Sequence, residues 1–102
     1  MKEMTRVAST KDIRPGEGVA VDVGGNRIAV FNIDGMFYAI GDTCSHQGGP
    51  LSQGKVQDWT VTCPWHGAQF DIRTGNVLRP PAPAGVPSYK VVVEGDEIKV
   101  EV

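Results

Sequence analysis

Valines recur at every second position in Val19, Val21 and Val23, set between smaller or polar neighbours, and that period of two predicts a half-buried β-strand. Gly24-Gly25 ends the run, Arg27-Ile28-Ala29-Val30-Phe31 resumes it, Asp34-Gly35 breaks it again, and Met36-Phe37-Tyr38-Ala39-Ile40 follows. Two-residue Gly-Gly and Asp-Gly breaks between strand-like runs are hairpin signals, so residues 18–40 predict a three-stranded meander. The end of the chain repeats the pattern: Tyr89-Lys90-Val91-Val92-Val93, a Gly95-Asp96 turn, then strict alternation through Ile98-Lys99-Val100-Glu101-Val102. A further strand is expected around Thr5 to Ala8. Ser9-Thr10-Lys11-Asp12 predicts one short helical turn, because serine is a good acceptor for the free N–H groups at a helix start. No other segment predicts helix.

Residues 41–87 differ in texture. They are rich in Gly, Pro and polar residues, and only Trp59-Thr60-Val61-Thr62 and Ala68-Gln69-Phe70-Asp71 resemble strands. The expected architecture is all-β: a small antiparallel β-sandwich built from the two ends, with a loop-rich subdomain over about 41–87 inserted between them. Composition supports a single domain over 1–102. Thirteen glycines and seven prolines in 102 residues make much of the length turn, and 40% hydrophobic residues suffice for one modest core. Trp59 is expected in that core. Pro80-Pro81-Ala82-Pro83 is too short for a linker.

Charge and hydropathy exclude several functions. No apolar run approaches the roughly twenty residues needed to cross a bilayer, and Met1-Lys2-Glu3-Met4-Thr5 lacks the apolar centre of a signal peptide. A cytoplasmic protein with no membrane contact is expected. The net charge of −2, with charges dispersed, weighs against nucleic acid, which demands a basic footprint.

The chemistry is concentrated. Every cysteine and histidine falls in two short motifs, Cys44-Ser45-His46 and Cys63-Pro64-Trp65-His66. A Cys44–Cys63 disulfide suits a secreted chain but leaves both histidines unexplained. Zinc accepts two thiolates and two imidazoles, yet finger-type spacing keeps like ligands together. Here each loop supplies one Cys and one His, an order that suits a binuclear cluster in which each loop gives sulfur to one iron and nitrogen to the other. A chance arrangement of core residues would require all four to coincide.

Cys44-Ser45-His46, Gly49-Pro50-Leu51-Ser52-Gln53-Gly54 and Cys63-Pro64-Trp65-His66-Gly67-Ala68-Gln69-Phe70-Asp71, with Thr74-Gly75 and Pro81-Ala82 downstream, resemble the Rieske [2Fe-2S] family. Within it the chain is most similar to soluble ferredoxins of bacterial aromatic-ring dioxygenases. The resemblance implies one [2Fe-2S] cluster, Cys44 and Cys63 on one iron, and His46 and His66 on the other. It implies a one-electron carrier that accepts from a flavin-dependent reductase and docks transiently on a terminal oxygenase near His46 and His66. Gly48, Gly49, Gly54 and Gly67 are expected to allow positive φ or close backbone approach. Pro50, Pro64 and Pro81 should stiffen the surrounding loops, and Trp65 should shield or contact.

High-potential members of the family place hydroxyl donors where this chain has Ala68 and Phe70, and an extra Cys where it has Trp65. The expected midpoint is therefore near the low end of the Rieske window, about −150 mV, and falling at alkaline pH as the outer imidazole nitrogens deprotonate. Catalysis is not expected. Oxygen activation in the family needs a second iron held by two further histidines and a carboxylate, and this chain has two histidines in all. Gly16-Glu17-Gly18 lacks the third glycine of a dinucleotide motif. The alternatives are a Rieske-like small subunit of an enzyme such as nitrite reductase and, less favoured, a zinc-stabilised interaction module.

Overall fold

The computed structural model describes residues 4–23, 25–42, 50–64, 67–79 and 85–101. In chain order its strands are β1 (Met4–Ser9), β2 (Gly18–Val23), β3 (Asn26–Ile33), β4 (Met36–Gly41), β5 (Lys55–Gln57), β6 (Thr60–Thr62), β7 (Gln69–Asp71), β8 (Val77–Arg79), β9 (Ser88–Glu94) and β10 (Glu97–Glu101). The helical content among the described residues is two 3₁₀ turns, Thr10–Asp12 and Leu51–Gln53. The all-β expectation holds.

The alternating segments make the larger sheet, ordered β1-β10-β9-β4-β3-β2 with every pair antiparallel. Asp34 and Gly35 both take positive φ, 52° and 88°, the backbone a two-residue hairpin needs to match strand twist. Gly95 does the same at 60° between β9 and β10. The short helical turn that the sequence predicts at Ser9–Asp12 is the first 3₁₀ turn, and Ser9 and Asp12 close it with a reciprocal capping box.

β5 to β8 form a second antiparallel sheet in simple order. Two hydrophobic cores result, and β3 and β4 are the wall between them. Ile28, Val30 and Ala39 point into the core of the larger sheet with Ile13, Ile98 and Val100. Their neighbours Ala29, Phe31, Ile33 and Ile40 point the other way, against Val61, Cys63, Ala68, Phe70 and Ile72 of the smaller sheet. Because side chains alternate across a strand, burial on both faces explains the unbroken apolar run of β3. The β scaffold built from the two ends is as expected, and the segment inserted in it, read as loop-rich, carries a four-stranded sheet of its own.

Four features differ from the sequence reading. β5, β8 and the turn Leu51–Gln53 carry no pattern of their own: three residues are too few for a period to register, and β8 has a register shift against β7. Trp59 is not core. It is 43% exposed, follows Asp58 at positive φ in the β5–β6 turn, and lies under the Arg73 guanidinium, 4.6 Å from the ring centroid. A turn position sends the ring outward, and the cation covers its face. Among the described residues no helix is long and apolar enough to cross a membrane.

Candidate metal centre

Cys63 is the expected ligand that lies within the described residues; Cys44, His46 and His66 fall outside them, as do Gly48, Gly49, Trp65 and Pro81. Cys63 follows β6 at the mouth of the β6–β7 hairpin. It is a free thiol, 3% exposed, packed in the core beneath the smaller sheet. The ladder places it. Val61 opposes Phe70 and Thr62 opposes Gln69; one step further, the Cys63 N–H donates to Ala68 O at 2.7 Å and Cys63 O accepts from Gly67 N–H at 3.2 Å. With both backbone groups satisfied, the sulfur is the group left to bind. Gly67 takes φ 77°, so the hairpin closes through a conformation that glycine adopts without strain.

The residues that flank the first motif are tied to each other. The chain leaves β4 at Asp42 and returns at Pro50–Ser52. There Asp42 O accepts Leu51 N–H and Asp42 Oδ1 accepts Ser52 N–H, both at 2.7 Å. Asp42 Oδ2 accepts from Arg27 Nε at 2.9 Å. The carboxylate is 1% exposed at its side chain and the arginine 55%. The sequence gives no sign of this bracket, since a lone Asp after a strand reads as a turn residue. Gly54 meets the expectation of close approach: a Cβ there would strike Thr62 O and come within 2.9 Å of Val61 Cγ2.

Residues 71–76 and 85–87 close against each other and against the end of β4. Gly75 takes φ 80°, and a Cβ on it would strike Val86 O; Val86 N–H donates to Gly75 O at 2.8 Å and Gly41 N–H to Pro87 O at 2.8 Å. Asp71 holds the turn: Oδ1 accepts Arg73 N–H at 2.8 Å, and the guanidinium reaches both carboxylate oxygens. Burial pushes the Asp71 carboxyl up, but hydrogen bonds and charge from Arg73, with help from Thr74 N–H, pull it further down, to a net position below the ordinary carboxylate value.

Ala68 and Phe70, expected to withhold hydrogen bonds from the centre, are both 0% exposed and share the core with Cys63. Among the described residues no three His, Cys, Asp or Glu side chains converge, which follows from three of the four expected ligands lying outside them.

Comparison with known proteins agrees with this geometry. Residues 3–90 match the Rieske [2Fe-2S] domain. The chain is 38% identical over 98 residues to the ferredoxin component of biphenyl 2,3-dioxygenase from Rhodococcus jostii, covering 96% of this chain and 92% of that protein. It superposes with TM-score 0.89 and 31% identity on a chain from the complex of reduced oxygenase and oxidized ferredoxin in carbazole 1,9a-dioxygenase, covering 96% and 92%. A Mycobacterium tuberculosis chain assigned as an NADH-dependent nitrite reductase small subunit superposes with TM-score 0.91 at 27% identity, covering 100% and 96%.

Proposed function

The chain belongs to the Rieske [2Fe-2S] domain family, and from that premise we propose that Cys44, His46, Cys63 and His66 hold its cluster. It is an electron-transfer component and not a catalytic subunit, as its dioxygenase-ferredoxin relatives are. Two thiolates and two neutral imidazoles fit a [2Fe-2S] group, because two thiolates offset the charge of two ferric ions and two sulfides where four would leave the site anionic. When bound, the cluster accepts and releases one electron. Cys63 carries the reading: a free thiol sits at the mouth of a hairpin whose backbone is already satisfied.

The protein's own residues set the terms of transfer. Ala68 and Phe70 exclude water beside Cys63 and offer it no side-chain donor, so an added electron gains nothing from them; the midpoint belongs near about −150 mV, the low end for such centres. Residues 41–87 act as the cluster-binding subdomain. The terminal oxygenase is the electron acceptor, reached by transient docking near His46 and His66, and a flavin-dependent reductase is the donor, in the cytoplasm. A nitrite reductase small subunit is the weaker reading, because that fold match is as good while its identity is lower than the dioxygenase ferredoxin's.

Absorption and electron paramagnetic resonance spectra before and after dithionite, with iron and sulfide counted, test the assignment. A reddish-brown protein with two irons and two sulfides, reducible by one electron, is expected. A colourless protein holding one zinc would overturn it.

A further inference from the structure

Asp42 is a buried charged group to which the ligand assignment gives no task. It stands two positions before Cys44 and is 1% exposed. Both its backbone groups and both its carboxylate oxygens are engaged. The N–H donates to Arg27 O at 3.0 Å, and the carbonyl accepts Leu51 N–H at 2.7 Å. Oδ1 accepts Ser52 N–H at 2.7 Å and Oδ2 accepts Arg27 Nε at 2.9 Å.

Leu51 and Ser52 open a 3₁₀ turn whose preceding residue, Pro50, gives no side-chain cap, so their N–H groups would lack partners. Asp42 supplies the acceptors from the other end of the loop. Leu51 and Ser52 are themselves buried, so water cannot replace it. The described residues on either side of the segment that carries Cys44 and His46 are thus joined through Asp42. Arg27 belongs to β3, where it opposes Asp22, so that junction is fastened to the larger sheet. A neutral side chain could accept the Ser52 N–H, but a carboxylate held by an arginine does so more strongly and in one orientation. Isolating a carboxylate from water is costly without such a partner.

We propose that Asp42, oriented by Arg27, is a positioning residue that clamps both ends of the 43–50 loop to β3 and so holds Cys44 and His46 in register with Cys63. The inference rests on the ligand assignment above. A loosened clamp releases the loop's ligands more often without unfolding the larger sheet.

The test uses loaded protein with Asp42→Ala, Asp42→Asn and Arg27→Gln. Iron release to bathophenanthroline disulfonate is followed by visible bleaching, alongside resonance spectra of the reduced protein and far-UV thermal melts. Asp42→Ala should release iron at least roughly tenfold faster, since it removes both charge-assisted hydrogen bonds, to Ser52 N–H and to Arg27 Nε, with shifted resonance lines. Asp42→Asn should stay within about threefold of the parent, because its amide oxygen still accepts from Ser52. Arg27→Gln should fall between them. If Asp42→Ala does not fold, faster release and shifted lines in Arg27→Gln, at an unchanged far-UV spectrum, sustain the clamp. Release at the parent rate in both, or faster release only in step with loss of far-UV signal, overturns it. Parent protein without iron and sulfide would instead overturn the ligand assignment itself.

Discussion

The larger sheet and the smaller one are held by different physics. In the larger, strands of five to eight residues pair over long ladders, and alternation alone puts valines and isoleucines inside. In the smaller, every strand has three residues, too short to stand alone. It exists because β3 and β4 lend it a second apolar face, and because backbone segments approach each other where a Cβ would not fit. A scaffold of repeated pairing tolerates change at many positions. A site built from a few close approaches does not.

The contrast is sharpest at Gly75, where left-handed backbone and contact with Val86 O coincide. Gly75→Ala combines a left-handed penalty of about 1–2 kcal/mol with overpacking of about 1–3 kcal/mol. The expected outcome is a large drop in melting temperature together with loss of bound iron. Gly35→Ala, also at positive φ but with nothing near its would-be Cβ, carries only the first cost and should keep its iron. Equal losses in the two variants would remove the distinction.

Matched core truncations test the same division at smaller cost. Ile72 and Ile98 are both 0% exposed, one in each core. Ile72→Val and Ile98→Val should each cost about 0.5–1.5 kcal/mol in chemical denaturation. Only Ile72→Val should quicken bleaching of the visible spectrum, since Ile72 shares its core with Cys63. Equal bleaching would mean that the two cores behave as one.

What the sequence revealed follows the same line. The meander at 18–40 and the final hairpin were legible because a period of two over five or more residues is a physical record of one face in and one out. The candidate ligands were legible because cysteine and histidine are rare and their order is informative. β5, β8 and the turn at Leu51–Gln53 were not, for their conformation comes from partners outside their own segment: Lys55 from Thr62, Arg79 from Gln69, Leu51 from Asp42. Asp42 was invisible for that reason too. Trp59 misled because a large aromatic is usually buried, and nothing in its neighbours announces that Arg73 covers it.

The proposed low midpoint rests on what the core around Cys63 lacks. Ala68→Ser with Phe70→Tyr introduces two hydroxyl donors beside Cys63, at positions that are 0% exposed. A donor that favours the reduced centre by about 1 kcal/mol corresponds to roughly 40 mV for one electron. Voltammetry should show the midpoint rising by an amount of that order, with the larger sheet's melting unaffected. A midpoint unmoved or lowered would place the control in net charge or solvent access instead of in missing donors.

The smallest expected effect concerns the Asp71–Arg73 pair, which ties the 71–76 turn. Its arginine is 48% exposed and its aspartate 16%, so solvent screening limits it to about 0.2–1 kcal/mol. Asp71 is held below the ordinary carboxylate value when folded, so the unfolded chain takes up the proton first. The pair's contribution is therefore complete above the unfolded carboxylate's pKa and disappears as pH falls through the folded one. Asp71→Asn should be less stable than the parent at neutral pH, and the two denaturation midpoints should converge on the acid side. Because Asn also loses the ion pair but can still accept Arg73 N–H, the gap isolates charge from turn geometry. A gap that persists unchanged into acid would assign the turn to its hydrogen bonds alone, and the smaller sheet would then owe its stability to backbone closure, with charge adding nothing outside the Asp42 bracket.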